Sequence, residues 1–346
     1  MLKEFLFEAC SNQFVSGFEY INGYMLKKYF EPYTDSSEKD KIGSYIFKQN
    51  GTSDKKIMLA AHIDEIGLMV TKILEDGFLS FTSVGGINPA SLVAQDVIIY
   101  GKEKIFGVIG IKPPHVIPKN ERSKALKIKD LYIDTGYSKE KLENLVSIGD
   151  VATIKRDPVS LQGSVISSKA LDDKACVAVM LETAKELNKI SHKSNIFYAA
   201  TAQEETGCRG SSAASYKISP DIGIVLDVGF GMTPDMPPET ACLGNGPVIA
   251  FGGRLNLKLT KKFIEVCHTY NYSIQCEAIP SDTGTDAESV QINREGVPCI
   301  LLSIPLRYMH TSVETIDVKD VETTGRAIAR FINELDNSDW GELLCF

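Results

Sequence analysis

An apolar run from Ile196 to Ala200 stops at Gln203-Glu204-Glu205-Thr206-Gly207, two adjacent acids followed by a glycine. A short continuous apolar run of this kind reads as a strand buried on both faces, as in parallel sheets covered by helices. The carboxyl rim of such a sheet is where α/β proteins bind ligands. A lone Glu-Glu pair is more often a solvated loop, but here the pattern repeats. Lys56–Ala61 runs into His62-Ile63-Asp64, Ile222–Leu226 runs into Asp227, and Pro298–Ile304 leads through Leu306-Arg307-Tyr308-Met309 to His310.

Length and composition narrow the setting. At 346 residues the chain exceeds the size at which one core usually stops growing, so two domains are expected. A net charge of −8 argues against nucleic acid and anionic membrane as partners, and no run approaches the length needed to span a bilayer. Eight cysteines are scattered without C-x-x-C spacing, several of them in apolar runs (Cys176, Cys267, Cys299), which suits reduced thiols. Met1–Cys10 lacks the layout of a secretory signal, and a cytoplasmic location is expected.

Along the chain, the opening segment Phe5–Phe30 has helical periodicity broken at Ser16-Gly17-Phe18-Glu19, where Ser16 and Glu19 predict a capping box. From Gly67 to Leu161 the texture changes to short β-rich runs separated by Gly-Gly, Asn-Pro and Pro-Pro. This segment reads as a small β-barrel-like domain (67–161) inserted into an α/β domain made of 1–66 and 162–346. His115, in Lys112-Pro113-Pro114-His115, is expected to be a loop or lid residue of the insert, and His192 and His268 read as ordinary surface or packing residues. The α/β pattern resumes after Gly163. There Asp172-Asp173 precedes an apolar helix from Ala175 to Leu187, one acid free to cap it and the other to bind a ligand.

Collected from the strand ends, the chemistry-bearing residues are His62, Asp172, Glu205, Asp227 and His310, with Asp64 and Glu204 beside them. Two imidazoles and three carboxylates suit two borderline divalent ions sharing a carboxylate, zinc, cobalt or manganese, with Zn²⁺ or Co²⁺ expected first, and the histidines argue against a purely Mg²⁺ or Ca²⁺ site. Asp64 is placed to orient the His62 ring. Such a pair of ions polarises a carbonyl and activates water, while a free carboxylate carries the proton, which is the chemistry of amide hydrolysis.

These residues, with their neighbours, resemble the tetrahedral-aminopeptidase family of dinuclear zinc exopeptidases, also called glutamyl aminopeptidase-like or cellulase M/endoglucanase-like. The resemblance covers nearly the whole chain. It rests on Ser16-Gly17-Phe18-Glu19, Ala61 to Gly67, Lys112 to His115, Ala170 to Lys174, Gln203 to Gly207, Leu226-Asp227-Val228, Gly284 to Ala287 and Arg307 to Thr311. It implies an α/β/α sandwich with a mixed sheet and the inserted barrel. One ion would be held by His62 and Asp227, the other by Glu205 and His310, with Asp172 bridging. Glu204 would be the general base, Asp64 the support of His62, and Arg307 with the Gly284–Asp286 turn the substrate side. Lys174, Ala175 and Ser44 stand where the family usually has Arg, Gly and Asn. The resemblance also implies short peptide substrates and homo-oligomers built from dimers joined through the insert, up to a hollow tetrahedral dodecamer.

A glycoside hydrolase is the first alternative, but two carboxylates and no metal suffice for that reaction, which leaves His62, His310 and a third acid unexplained. The second is a non-catalytic peptide-binding relative, against which stands the presence of all seven positions.

Overall fold

The computed structural model describes residues 1–116 and 124–344. Its main sheet has eight strands in the order Ser36–Lys39, Tyr45–Gln49, Asn195–Thr201, Lys56–His62, Ile222–Phe230, Cys299–Leu306, Val248–Phe251 and Gln275–Ala278. The four central strands run parallel; Tyr45–Gln49, Val248–Phe251 and Gln275–Ala278 are antiparallel to them, and the edge strand Ser36–Lys39 is parallel again. The central four are the apolar runs identified in the sequence, buried because helices cover both faces; Asp227 does not end its strand as expected but lies inside it, since pairing with Cys299–Leu306 carries that strand on to Phe230.

Successive strand residues serve opposite faces, as the pleat requires. Ile57, Leu59 and Ala61 join a core with Leu6, Cys176, Leu181, Phe263 and Phe331 from helices Leu2–Ser11, Leu171–Leu187, Leu257–Thr269 and Val318–Leu335. Met58 and Ala60 face the other way, toward Ala214 and Val290 of helices Arg209–Ile218 and Ala287–Gln291. The result is the expected three-layer α/β/α sandwich. No helix among the described residues is long and apolar enough to cross a membrane.

Helix Leu171–Leu187 is buried nearly all round because the sheet lies on one side and helices Leu2–Ser11 and Val318–Leu335 on the other. Its first turn is irregular. Ala170 has a left-handed φ of 56°, Asp172 and Asp173 are non-helical, and no side chain caps the helix. The expected Asp cap is therefore absent; both acids are used elsewhere.

Between the strand that ends at His62 and the return at Val165–Ser168, six strands close into a barrel. They are Gly67–Ile73, Phe78–Val84, Leu131–Asp134, Lys104–Ile111, Asp96–Tyr100 and Val151–Ile154, in order around the barrel. Leu68, Val70, Leu79, Val97, Ile99, Ile109 and Ile133 fill it. Five of these strands match β-rich runs of the sequence at Leu68–Leu74, Phe78–Val84, Asp96–Tyr100, Ile105–Ile111 and Val151–Ile154. Leu131–Asp134 was not anticipated, being four residues with only two of them buried.

The capping box expected at Ser16–Glu19 is not formed. Glu19 Oε1 instead accepts hydrogen bonds from the amides of Gly17 (2.8 Å) and Gln203 (2.9 Å), and Ser16 Oγ lies 3.0 Å from Thr206 Oγ1. A distant loop outcompetes the local helix end for both side chains.

The two longest helices meet at Gly325, where an added Cβ would lie 2.7 Å from Glu182 Cβ and 3.1 Å from the Val179 carbonyl oxygen. Gly325→Val should therefore destabilise the protein by about 1–3 kcal/mol, the usual cost of overpacking a close contact. Equilibrium unfolding in urea measures this, and an unchanged midpoint would show that the helices separate freely.

Candidate metal centre

Strand register sets the centre. Thr201 pairs with His62 across the Asn195–Thr201 and Lys56–His62 strands, so the two end level, and the residues just beyond them include Asp64, Glu204 and Glu205. Val225 pairs with Ala60, which puts Asp227 level with His62 on the next strand. Asp172 enters from the irregular start of the central helix, and His310 from the turn after Cys299–Leu306, with a φ of 60°.

Asp172 is the meeting point. Its Oδ1 lies 3.1 Å from His62 Nε2 and its Oδ2 3.3 Å from His310 Nε2. Glu205 Oε1 is 3.5 Å from His310 Nε2. Ligand atoms of His62, Asp172 and Asp227 lie within 4.8 Å of one another, as do those of Asp172, Glu205 and His310. The buried Asp172 Oδ1 has no hydrogen-bond partner among the described residues despite its nearness to His62. Two ligands of one tetrahedral zinc ion sit roughly 3.4 Å apart, from bonds of about 2.0–2.2 Å. The His–Asp separations match that spacing, and the mixed nitrogen and oxygen donors suit the same ion.

The charges agree with this fit. Burial pushes Glu205 up to about 8, with Asp172 adding to the rise, and drives Asp227 well above the carboxylate range. Burial alone would pull His62 down, but Asp172 and Asp64 hold it well above its ordinary value. Asp172 raises His310 to about 9. Burial also works to raise Asp172, yet the two histidines keep it far below the usual range. Without a cation the two imidazoles carry the compensating charge.

Glu204 lies 3.9 Å from His62 Nε2 through Oε2, accepts the Cys208 thiol on Oε1 at 3.3 Å, and is raised by burial to about 7. Asp64 does more than face His62. Its carboxylate accepts the amides of Glu204 (3.0 Å) and Glu205 (3.1 Å), fixing the pair, while His62 Nδ1 is 3.2 Å from the Asp64 main-chain oxygen and 3.6 Å from its carboxylate.

Several supports were not read from the sequence. Glu314 accepts the amides of Asp172 (3.1 Å) and His310 (2.8 Å), tying the two together. Asp173 accepts the His62 amide at 3.3 Å. Gly86, in the loop leaving a barrel strand, places its carbonyl 2.7 Å from His310 Nδ1. Glu65 accepts the Phe14 amide and Lys169 Nζ (2.6 Å), with the buried Lys174 Nζ at 3.5 Å. Burial lowers the pKa of that lysine, which also lies 5.0 Å from the centre of the Phe14 ring. Asp286, buried beside Glu204 and Cys208, is held by the Thr201 hydroxyl. Glu314 had one signal, an acid four residues after His310; Gly86 had none.

The centre opens into a cavity of about 480 Å³ whose walls include Phe230, Glu277, Ile279, Leu301 and Met309, with Thr283, Gly284 and Thr285 at one side. Arg307 is not part of this wall; its Nε donates to the Met232 carbonyl instead. His115 stands exposed in the single turn Pro114–Val116, outside the candidate ligand groups.

Comparison with known proteins gives a consistent picture. The profile of the M42 glutamyl aminopeptidase family matches residues 43–326. The lysyl aminopeptidase of Pyrococcus furiosus is 36% identical over 94% of this chain and 95% of its own length. A TET aminopeptidase from a marine-sediment Thaumarchaeota archaeon superposes with a TM-score of 0.92 at 31% identity, covering 97% of this chain and 96% of its own. The TET1 peptidase of Pyrococcus horikoshii, described as assembling into a tetrahedron or a large octahedral shell, superposes with a TM-score of 0.84 at 29% identity, covering 96% of this chain and 100% of its own.

Stripped of divalent ions by a chelator, the protein should melt at progressively lower temperature as pH rises from about 4.5 to about 8. Burial raises Glu205 and Glu314 from 4.5 to about 8, so across this window the folded state binds more protons than the unfolded one and stability falls. His310, raised to about 9, loses its contribution at the upper end in the same direction, and Asp172, held low, adds no slope here because it is ionised in both states above the ordinary carboxylate range. Scanning calorimetry at several pH values checks the sign; a melting temperature that climbs through the window would contradict it.

Proposed function

The chain belongs to the M42 glutamyl aminopeptidase family of metal-dependent aminopeptidases, and we propose that it works with two divalent ions, Zn²⁺ or Co²⁺, shared through Asp172. His62 and Asp227 complete one site, Glu205 and His310 the other. The observation that carries this reading is the single carboxylate with one oxygen toward each histidine, at 3.1 and 3.3 Å. When bound, the ions polarise the scissile carbonyl and make a water acidic enough to lose its proton near neutral pH.

The chain's own residues do the rest. Glu204, on the cavity wall and raised to about 7, takes the proton from the attacking water and passes it to the leaving amine. Asp64 holds Glu204 and Glu205 by their amides, so the proton carrier and the ligand keep fixed separations from His62. Glu314 does the same for Asp172 and His310.

The cavity also indicates which peptides fit. Its walls are apolar at Phe230, Ile279, Leu301 and Met309 and acidic at Glu277, and they carry no Lys or Arg among the described residues. A neutral or basic first residue is accommodated, whereas a glutamyl side chain meets no cation. The name of the Pyrococcus furiosus relative agrees with a basic preference. We assign residues 67–161, the barrel and its return, as the surface through which copies associate, supported by the shell assembly described for the Pyrococcus horikoshii relative. The free thiols of the described cysteines suit a reducing, cytoplasmic setting.

A panel of lysyl, leucyl and glutamyl p-nitroanilides tests the reading. Lysyl and leucyl substrates should turn over with two equivalents of Co²⁺ or Zn²⁺ per chain, and glutamyl at least ~10-fold more slowly, the least that an unpaired buried charge costs. Full activity in excess chelator would sink the metal assignment.

The adjacent glutamates should fail differently. Glu204→Gln should keep both ions by elemental analysis and lose kcat by ~10²–10⁴-fold. Glu205→Gln should lose metal and recover in part when more is added. The reverse pattern would mean their roles are exchanged.

A further inference from the structure

Beside the paired sites lies a third group of ligands, on the opposite side of Glu204. Ligand atoms of Glu204, Cys208 and Asp286 lie within 4.8 Å of one another. The Cys208 thiol already touches Glu204, with Sγ 3.3 Å from Oε1. Two ligands of a tetrahedral zinc ion, one sulfur and one oxygen, sit roughly 3.6 Å apart, from bonds of about 2.3 and 2.1 Å. The thiol and carboxylate are therefore already near ligand spacing.

Asp286 supplies the second, independent observation. It is 1% exposed, its Oδ2 accepts the Thr201 hydroxyl at 2.5 Å, and its Oδ1 has no hydrogen-bond partner among the described residues. A buried carboxylate oxygen left without a partner is costly, and such atoms are normally paired, hydrated or bound to an ion. Cys208 is half-buried and lines the same cavity as the paired sites, so the group is reached from the substrate side.

We propose that Glu204, Cys208 and Asp286 form a third, inhibitory cation site selective for thiophilic ions, Zn²⁺ or Cd²⁺, over Mg²⁺ or Mn²⁺. A thiolate among the ligands sets that preference. Binding releases the thiol proton to solvent and draws Glu204 into coordination, which removes the proton carrier from the reaction. Zinc thus activates the enzyme while it fills the paired sites and silences it at higher concentration. This consequence rests on the assignment of Glu204 above; the site itself does not.

The test uses the whole protein loaded with two equivalents of Zn²⁺ and then titrated with Cd²⁺ or further Zn²⁺. Two signals are followed: the ultraviolet thiolate-to-cadmium charge-transfer band, and hydrolysis of a lysyl or leucyl p-nitroanilide. Wild type should gain the band and lose activity over the same concentration range. Cys208→Ser should lose the band. Its half-inhibiting zinc concentration, measured against its own uninhibited rate, should rise at least ~10-fold, since losing a ligand costs no less than losing an outer partner. Cys276→Ser, which removes an exposed cysteine, should behave as wild type. No band in wild type at saturating Cd²⁺, or a band and inhibition unchanged in Cys208→Ser, overturns the proposal. Because the band needs no turnover, a protein that hydrolyses none of the substrates would still report on this site.

Discussion

The structure depends on one crowded carboxylate. Asp172 is buried at the rim of the sheet with an imidazole on each side, and a bare carboxylate there would be far too costly to desolvate. Much of the surrounding architecture serves to keep that charge both compensated and fixed. The central helix gives up its first turn so that Asp172 leaves the helical path, and Glu314 takes the amide which that irregular turn leaves open. Without an ion, removing charge from either histidine would leave the acid only half compensated.

The same logic divides the acids by what their backbones do. Asp64, Glu314 and Glu19 accept main-chain amides and act as rivets between strand ends. Asp172, Glu205 and Asp227 accept few or none from outside their own turn and keep oxygens free for the centre. Glu204 is intermediate. Its amide is held by Asp64, but its carboxylate has only a thiol donor and faces the cavity. An acid with its backbone fixed and its side chain loosely paired is suited to moving a proton rather than to holding an ion still.

Much of this was legible in the chain itself, because each apolar run had to be a buried strand and each led toward an acid or a histidine. That reasoning reaches His62, Asp64, Glu204 and Glu205, which lie at or just past strand ends, and His310 a few residues beyond; it reaches Asp227 too, although that residue sits inside a strand that continues to Phe230. It fails where a partner is remote. Gly86 meets His310 across 224 residues through a main-chain oxygen, which no side-chain pattern announces. Ser16 and Glu19 form a plausible local box, yet Gln203 and Thr206 claim both, since a buried amide with no other acceptor outbids an exposed helix end. Asp286 looked like part of a polar turn and is instead buried, because Thr201 and the Glu204 loop close over it.

The Gly86 contact also ties the barrel to the chemistry. His310 stands on a turn with a left-handed φ, a conformation that costs energy in a residue with a side chain. Two bonds hold it there: Glu314 on its amide, from within the sandwich, and Gly86 on its ring, from the barrel side. The ring bond also sets which nitrogen is free. With Nδ1 committed as donor to the carbonyl, Nε2 is left facing Asp172 and Glu205, and it is the nitrogen that must be unprotonated to bind an ion. A shift of the barrel against the sandwich would therefore rotate or release the imidazole, and it would also press on Glu205, against which Gly85 of the same loop lies. The half-site proposed for Glu205 and His310 is thus the one whose geometry follows the position of the insert, while the one proposed for His62 and Asp227 takes both residues from strands of the central sheet.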